Sequence, residues 1–176
     1  MALWTGREPK RESWAARLFS FPDPVNEVSA RLVAGGVVII ALTIILSDQW
    51  WLSALLAYGF VARVLTGPKL SPLGQLATRV VTPRLRVAPK PVPGPPKRFA
   101  QGMGVAFSVS AAVLALGFGQ IGAAQIVLGL LVVAAILESV FAVCLGCMVF
   151  GLLMRAGVIP AEVCERCNDI WSGTAG

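Results

Sequence analysis

Apolar positions fall in four long blocks, parted by two short polar breaks and one long basic stretch. The first block runs from Val28 to Leu46 and carries no charge from Leu32 onward. The second runs from Trp50-Trp51 to Leu65, with Arg63 at its far end. The third spans about Phe99 to Gly119 without a charge, and the fourth begins at Ile121 and stays apolar to Met154 except for Glu138. About 20 apolar residues are needed to cross a hydrocarbon core of about 30 Å, so these blocks predict membrane-spanning helices. The first two have short uncharged cores, and their flanks must complete the crossing. Arg63 is expected to snorkel toward the interface. The fourth block would reach about 50 Å as one straight helix, so it must bend, and Gly146 and Gly151 are the expected bend points.

The breaks predict how the blocks connect. Phe21-Pro22-Asp23-Pro24 disfavours helix and sets a rigid entry turn. Ser47-Asp48-Gln49 and Gly117-Phe118-Gly119-Gln120 are tight turns, with Trp50-Trp51 placed for an aromatic belt. Gly35-Gly36 offers a flat patch where another helix can approach closely. In the long connection, Ser71 followed by Pro72 marks a helix start. Leu73, Leu76, Ala77, Val80 and Val81 then recur at helical spacing among Arg79, Arg84 and Arg86, which predicts an amphipathic helix on the membrane surface. Pro83, Pro89, Pro91, Pro93, Pro95 and Pro96 predict a semi-rigid extended linker.

The expected fold is an all-α membrane protein with about four transmembrane helices in two hairpins, plus an amphipathic surface helix. Its parts are an N-terminal tail (1–27), hairpin one (28–66), the amphipathic helix and Pro-rich linker (67–98), hairpin two ending in the first CxxC (99–157), and a tail with the second CxxC (158–176). No short apolar run with a small-residue cleavage site occurs before Val28, so the first block is expected to stay as an anchor.

Composition agrees with the pattern. Of 176 residues, 56% are hydrophobic and mean hydropathy is +0.76. The net charge of +6 would suggest nucleic acid in a soluble protein. Here Lys and Arg flank the apolar blocks, which points to lipid and topology instead of nucleic acid. They gather in the N-terminal tail, the long connection and the C-terminal side, and the two short turns carry none. The positive-inside rule then places both termini and the long connection in the cytoplasm.

There is no histidine, which removes the commonest general base and metal ligand. No phosphate-binding glycine loop or nucleophile elbow occurs. The chemistry falls on four cysteines, Cys144-Leu-Gly-Cys147 and Cys164-Glu-Arg-Cys167, with sixteen residues between the pairs. A lone cysteine in a helix is usually a small apolar residue. A CxxC repeated among charges is poorly explained that way. In a CxxC, one thiolate attacks a disulfide and the second thiol resolves the mixed disulfide, so thiol redox or sulfur relay is the leading expectation, with no cofactor. The spacing C-x2-C-x16-C-x2-C also suits a four-cysteine zinc site, which would make the protein a scaffold. Glu138, the only acid in a long apolar block, is a further candidate. On a straight helix it points about 120° from Cys144 and about 180° from Cys147, so it serves them only if the helix bends. A small-solute or sulfur-anion channel ranks lower, since the spans offer little polar path beyond Gln101, Ser108, Ser110, Gln125 and Glu138.

Four pieces of the chain carry a resemblance. They are Phe21-Pro22-Asp23-Pro24-Val25-Asn26, Gly67-Pro68-Lys69-Leu70-Ser71-Pro72-Leu73-Gly74, Pro95-Pro96-Lys97-Arg98-Phe99-Ala100, and the stretch from Glu138 to Cys147. Over residues 19–170 the chain resembles a bacterial, uncharacterised membrane family whose members are often encoded beside or fused to rhodanese-like or thioredoxin-like domains. The resemblance implies the inner (plasma) membrane and sulfur transfer or thiol redox. A soluble rhodanese-like or thioredoxin-like protein is the implied partner. The residues themselves make Cys144, Cys147, Cys164, Cys167 and Glu138 the expected site.

Overall fold

The computed structural model describes residues 23–85, 88, 90–160 and 163. Six helices dominate these residues, joined by one two-residue strand pair. Strand β1 (Val25–Asn26) leads into α1 (Glu27–Ser47), whose first turn is capped by the Asn26 side chain accepting from the Val28 N–H. Asn at this position satisfies an N–H that the helix itself cannot. A turn at Asp48, in the left-handed region at φ 54, leads to α2 (Trp51–Thr66). The Trp50 and Trp51 indoles donate to Asp48 Oδ1 and Gln49 Oε1; Trp51 is exposed at this turn as an aromatic belt requires, whereas Trp50 turns into the bundle core.

Pro72–Gln75, a wide π-turn Leu76–Val81 and Thr82–Arg84 run on as the surface helix α3. The Ser71 hydroxyl caps its start by accepting from the Gly74 N–H. Leu73 of α3 seats on Gly36 of α1, where an added Cβ would lie 2.5 Å from Leu73 Cδ1. The Gly35-Gly36 patch therefore receives the surface helix, while Gly35 faces Ser139 of the helix that runs beside α1.

The Pro-rich stretch departs from the expected linker. Strand β2 (Pro91–Val92) pairs antiparallel with β1, and α4 begins at once, at Gly94. Pro95 and Pro96 lie in the first turn, where no intrahelical N–H bond is lost. The Gly94 N–H is taken by Asp23 Oδ1. Lys97 and Arg98 therefore belong to a helix. Helix α4 (Gly94–Ala112) continues through a π-turn (Val113–Gly117), and α5 (Ile121–Phe141) returns across the bundle. Last comes α6 (Leu145–Arg155).

Helix α1 packs along α5, and α2 packs along α4, so the two hairpins lie face to face. Val37, Ala41, Ile44, Phe60, Ala111, Ala124 and Leu128 form the shared core. Outward faces stay apolar. Ile39, Ile126 and Val133 are 68%, 69% and 56% exposed. Exposed apolar area on that scale suits hydrocarbon instead of water. Three helices, Glu27–Ser47, Gly94–Gly117 and Ile121–Phe141, are long and apolar enough to cross a membrane. Helix α2, with 16 residues, reaches about 24 Å and is the short fourth member of the bundle.

Candidate functional site

The fourth apolar block does bend, but not at a glycine. Helix α5 ends at Phe141, and Ala142 turns into the left-handed region at φ 58. A non-glycine residue there costs about 1–2 kcal/mol. The N–H groups of Ala142 and Val143 both donate to the Leu137 carbonyl, which closes the helix end. Arg31 of α1 holds the same end, donating Nε to the Ser139 carbonyl (3.1 Å) and Nη2 to the Val140 carbonyl (3.0 Å). A guanidinium at a helix C-terminus both bonds free carbonyls and meets the negative end of the dipole.

Cys144 follows directly, in extended conformation, as the N-cap of α6. Its Sγ accepts from the Cys147 N–H at 3.4 Å, and the Cys147 Sγ lies 2.7 Å away as donor. The CxxC spacing thus places one thiol at the cap and the other in the first turn. Both are free thiols, Cys144 buried and Cys147 partly buried. Cys144 lies in the break outside the spanning helices. Its pKa is held below the ordinary thiol value, first by the hydrogen bond from Cys147 and further by the Lys97 charge, against burial and Glu138. Cys147 moves the other way, because it gives its proton to that bond. Cys144 is therefore the thiol that ionises first.

Helix α6 is pinned to the first turns of α4. A Cβ on Gly146 would lie 2.5 Å from both Cα and Cβ of Ala100, so the two backbones touch. The Phe99 and Phe150 rings meet at 5.7 Å between centroids. Val163, the residue before Cys164, lines a cavity of about 470 Å³ with Phe99, Phe150 and Arg98. Cys164 and Cys167 themselves lie outside the described residues.

Beside the thiols is a buried charge cluster. Lys97 Nζ and Glu138 Oε1 pair at 2.8 Å, with side chains 10% and 19% exposed. Because the helix breaks at Ala142, Glu138 and the thiols are brought together instead of facing apart. Glu138 acts through the Lys97 ammonium, whose field reaches both thiols. Arg63 also joins the cluster. It does not snorkel as its sequence position suggests, being 4% exposed, with its guanidinium carbon 4.3 Å from the Phe60 ring centroid and within the field of Glu138. Phe60 in turn sits against the bare backbone of Gly104. Lys97 and Arg63 are not legible from the sequence as site residues, and Gln101 is legible only as a polar position within a span. Their signal was periodicity: Lys97 and Gln101 are four apart, hence on one helix face.

Two thiols at this spacing can close to a disulfide, whose bond is about 2.05 Å, with a shift of about 0.7 Å. Among the described residues no group of three or more Cys, Asp, Glu or His is disposed to hold a metal ion. A four-sulfur zinc set would require Cys164 and Cys167. No curated protein and no solved structure matches the chain. The family model of a domain of unknown function, DUF4395, matches residues 25–155, which takes in every helix described and the first thiol pair. The chain belongs to the DUF4395 family.

Proposed function

We propose that the protein is a membrane-embedded thiol redox or sulfur-relay protein. It works through Cys144 and Cys147 and exchanges with a soluble thioredoxin-like or rhodanese-like partner on the cytoplasmic side. The observation that carries the reading is the sulfur–sulfur distance of 2.7 Å at the start of α6, beside the Lys97–Glu138 pair. Cys144 is the attacking thiolate and Cys147 the resolving thiol. Attack by the Cys144 thiolate on a partner disulfide forms a mixed disulfide and expels one partner thiolate. Attack by Cys147 on Cys144 then closes the internal disulfide and releases the second partner sulfur, so two electrons pass to the partner. Cys164 and Cys167 act as the second pair, exchanging with the first or with the partner.

The orientation has separate support. Arg31, Lys90, Lys97 and Arg98 lie at the end of the bundle that holds the thiols, and the uncharged-by-Lys/Arg turns at Asp48 and Gly119 form the opposite end. Trapping tests the reading. In Cys147→Ser, with Cys164 and Cys167 also changed to Ser, the Cys144 thiolate is expected to displace thionitrobenzoate from a thioredoxin whose single active-site cysteine carries it as a mixed disulfide, and the Cys144–thioredoxin disulfide then cannot be resolved and accumulates. Adding Cys144→Ser in that same background, free of Cys164 and Cys167, should abolish it. No accumulation on Cys144, or equal accumulation without it, sinks the reading.

A second reading, a zinc-holding membrane scaffold, draws on the C-x2-C-x16-C-x2-C spacing and on Val163 lying beside the Phe150 face of α6.

A further inference from the structure

We propose that Arg63 is the centre of a small-anion site that exchanges charge with the Cys144 thiolate. The site would take a small monovalent inorganic anion when the thiol pair is oxidised or neutral. The first ground is an orphaned side chain. Arg63 Nε and Nη1 are buried and have no hydrogen-bond partner. A guanidinium cannot shed its charge, so buried N–H groups on it call for an acceptor.

The second ground is charge balance. Phe60 facing Gly104 and Arg98 Nε donating to the Val64 carbonyl set the register of α2 against α4. That register puts Arg63 level with Ala100 and Gln101, one turn from Lys97. The cluster then holds two cations, Arg63 and Lys97, against one acid, Glu138. One positive charge is left over in a buried site between apolar helices, where unpaired charge is disfavoured. A Cys144 thiolate supplies the missing negative charge. A disulfide does not, so closing it leaves the cluster short of one anion. Binding and redox state are thereby linked reciprocally: an anion that favours the oxidised form is itself held more tightly by that form. The linkage rests on the exchange reading above, whereas the anion site rests on the orphaned Arg63 and the charge balance of its cluster with Lys97 and Glu138.

The test uses bromide as probe, read by line broadening of its magnetic resonance signal over the full-length protein in detergent micelles. In Cys144→Ser with Cys147→Ser no thiolate can compete, and excess broadening over empty micelles is expected. Adding Arg63→Gln should remove most of that excess, while Arg63→Lys should keep part of it. Adding Glu138→Gln should raise it at least several-fold in affinity, since the cluster then carries two uncompensated cations. The opposite signs at Arg63 and Glu138 separate a site effect from misfolding. No excess in the double-serine protein, or an excess that Arg63→Gln leaves unchanged, overturns the proposal. Lost partner trapping with intact bromide binding overturns only the exchange reading.

Discussion

Replacing Glu138 by Ala is expected to destabilise the bundle by about 3–5 kcal/mol, the usual cost of stripping one partner from a buried ion pair. Here the cost is compounded, because Arg63 stands in the same field. The variant would leave two cations without the acid they share, with the Lys97 ammonium stripped of its bond to Glu138 Oε1. The neighbouring helices cannot hydrate it as water would. Replacing both partners, Lys97→Met with Glu138→Leu, should recover most of the loss. That pair restores the native excess of one positive charge and fills the volume with apolar side chains, and such swaps are often neutral or stabilising. Thermal or denaturant unfolding in detergent, run as a double-mutant cycle, checks both arms. A fully exposed surface pair would behave otherwise, with each single change below about 1 kcal/mol.

Gly146→Ala is the second large effect. Its Cβ would come within 2.5 Å of Ala100 Cα and Cβ. A backbone atom cannot yield as a side-chain end can, so α6 must move off α4. Overpacking of this kind costs about 1–3 kcal/mol. The cost falls on the docking of α6, which is what holds Cys144 at the cap and Cys147 over it. Opening of that helix should become about tenfold more frequent for each 1.4 kcal/mol lost, and buried Cys144 should alkylate faster in proportion. Gly151→Ala is the matched control. Nothing lies within 4 Å of a Cβ there, and Ala favours the helix over Gly by about 1 kcal/mol. Alkylation in that variant should stay at the native rate or slow.

Most of the bundle is written in the hydropathy pattern. Charge-free runs around Val37, Phe107 and Leu128 allow only helices in a bilayer, and Ser71-Pro72 and Asn26 mark helix starts by their capping chemistry. Two kinds of feature were hidden. Proline count suggested a linker through Pro96, yet prolines in a first helical turn cost no hydrogen bond, so α4 starts before them. Sequence alone favours a bend at Gly146 or Gly151, but Gly146 is needed for contact with Ala100, and Ala142 accepts the left-handed conformation because Arg31 and Leu137 hold the helix end. Local preference was overridden there by long-range packing. The same bend decides the site. A straight helix separates Glu138 from the thiols, and the break reunites them through Lys97 on the neighbouring helix α4. The burial of Arg63 was likewise invisible, since an arginine at the end of an apolar run usually reaches outward.

The central claim is that Cys144 and Cys147 cycle between dithiol and disulfide. The direct measurement is a redox titration of the full-length protein in graded glutathione buffers, with free thiols blocked at each step and peptides read by mass. A Cys144–Cys147 disulfide is expected to form and reopen in one reversible two-electron transition, tenfold in the oxidised-to-reduced ratio for about 30 mV. Cys144 and Cys147 remaining as unpaired thiols at every potential, or holding about one zinc per chain by elemental analysis, would contradict it.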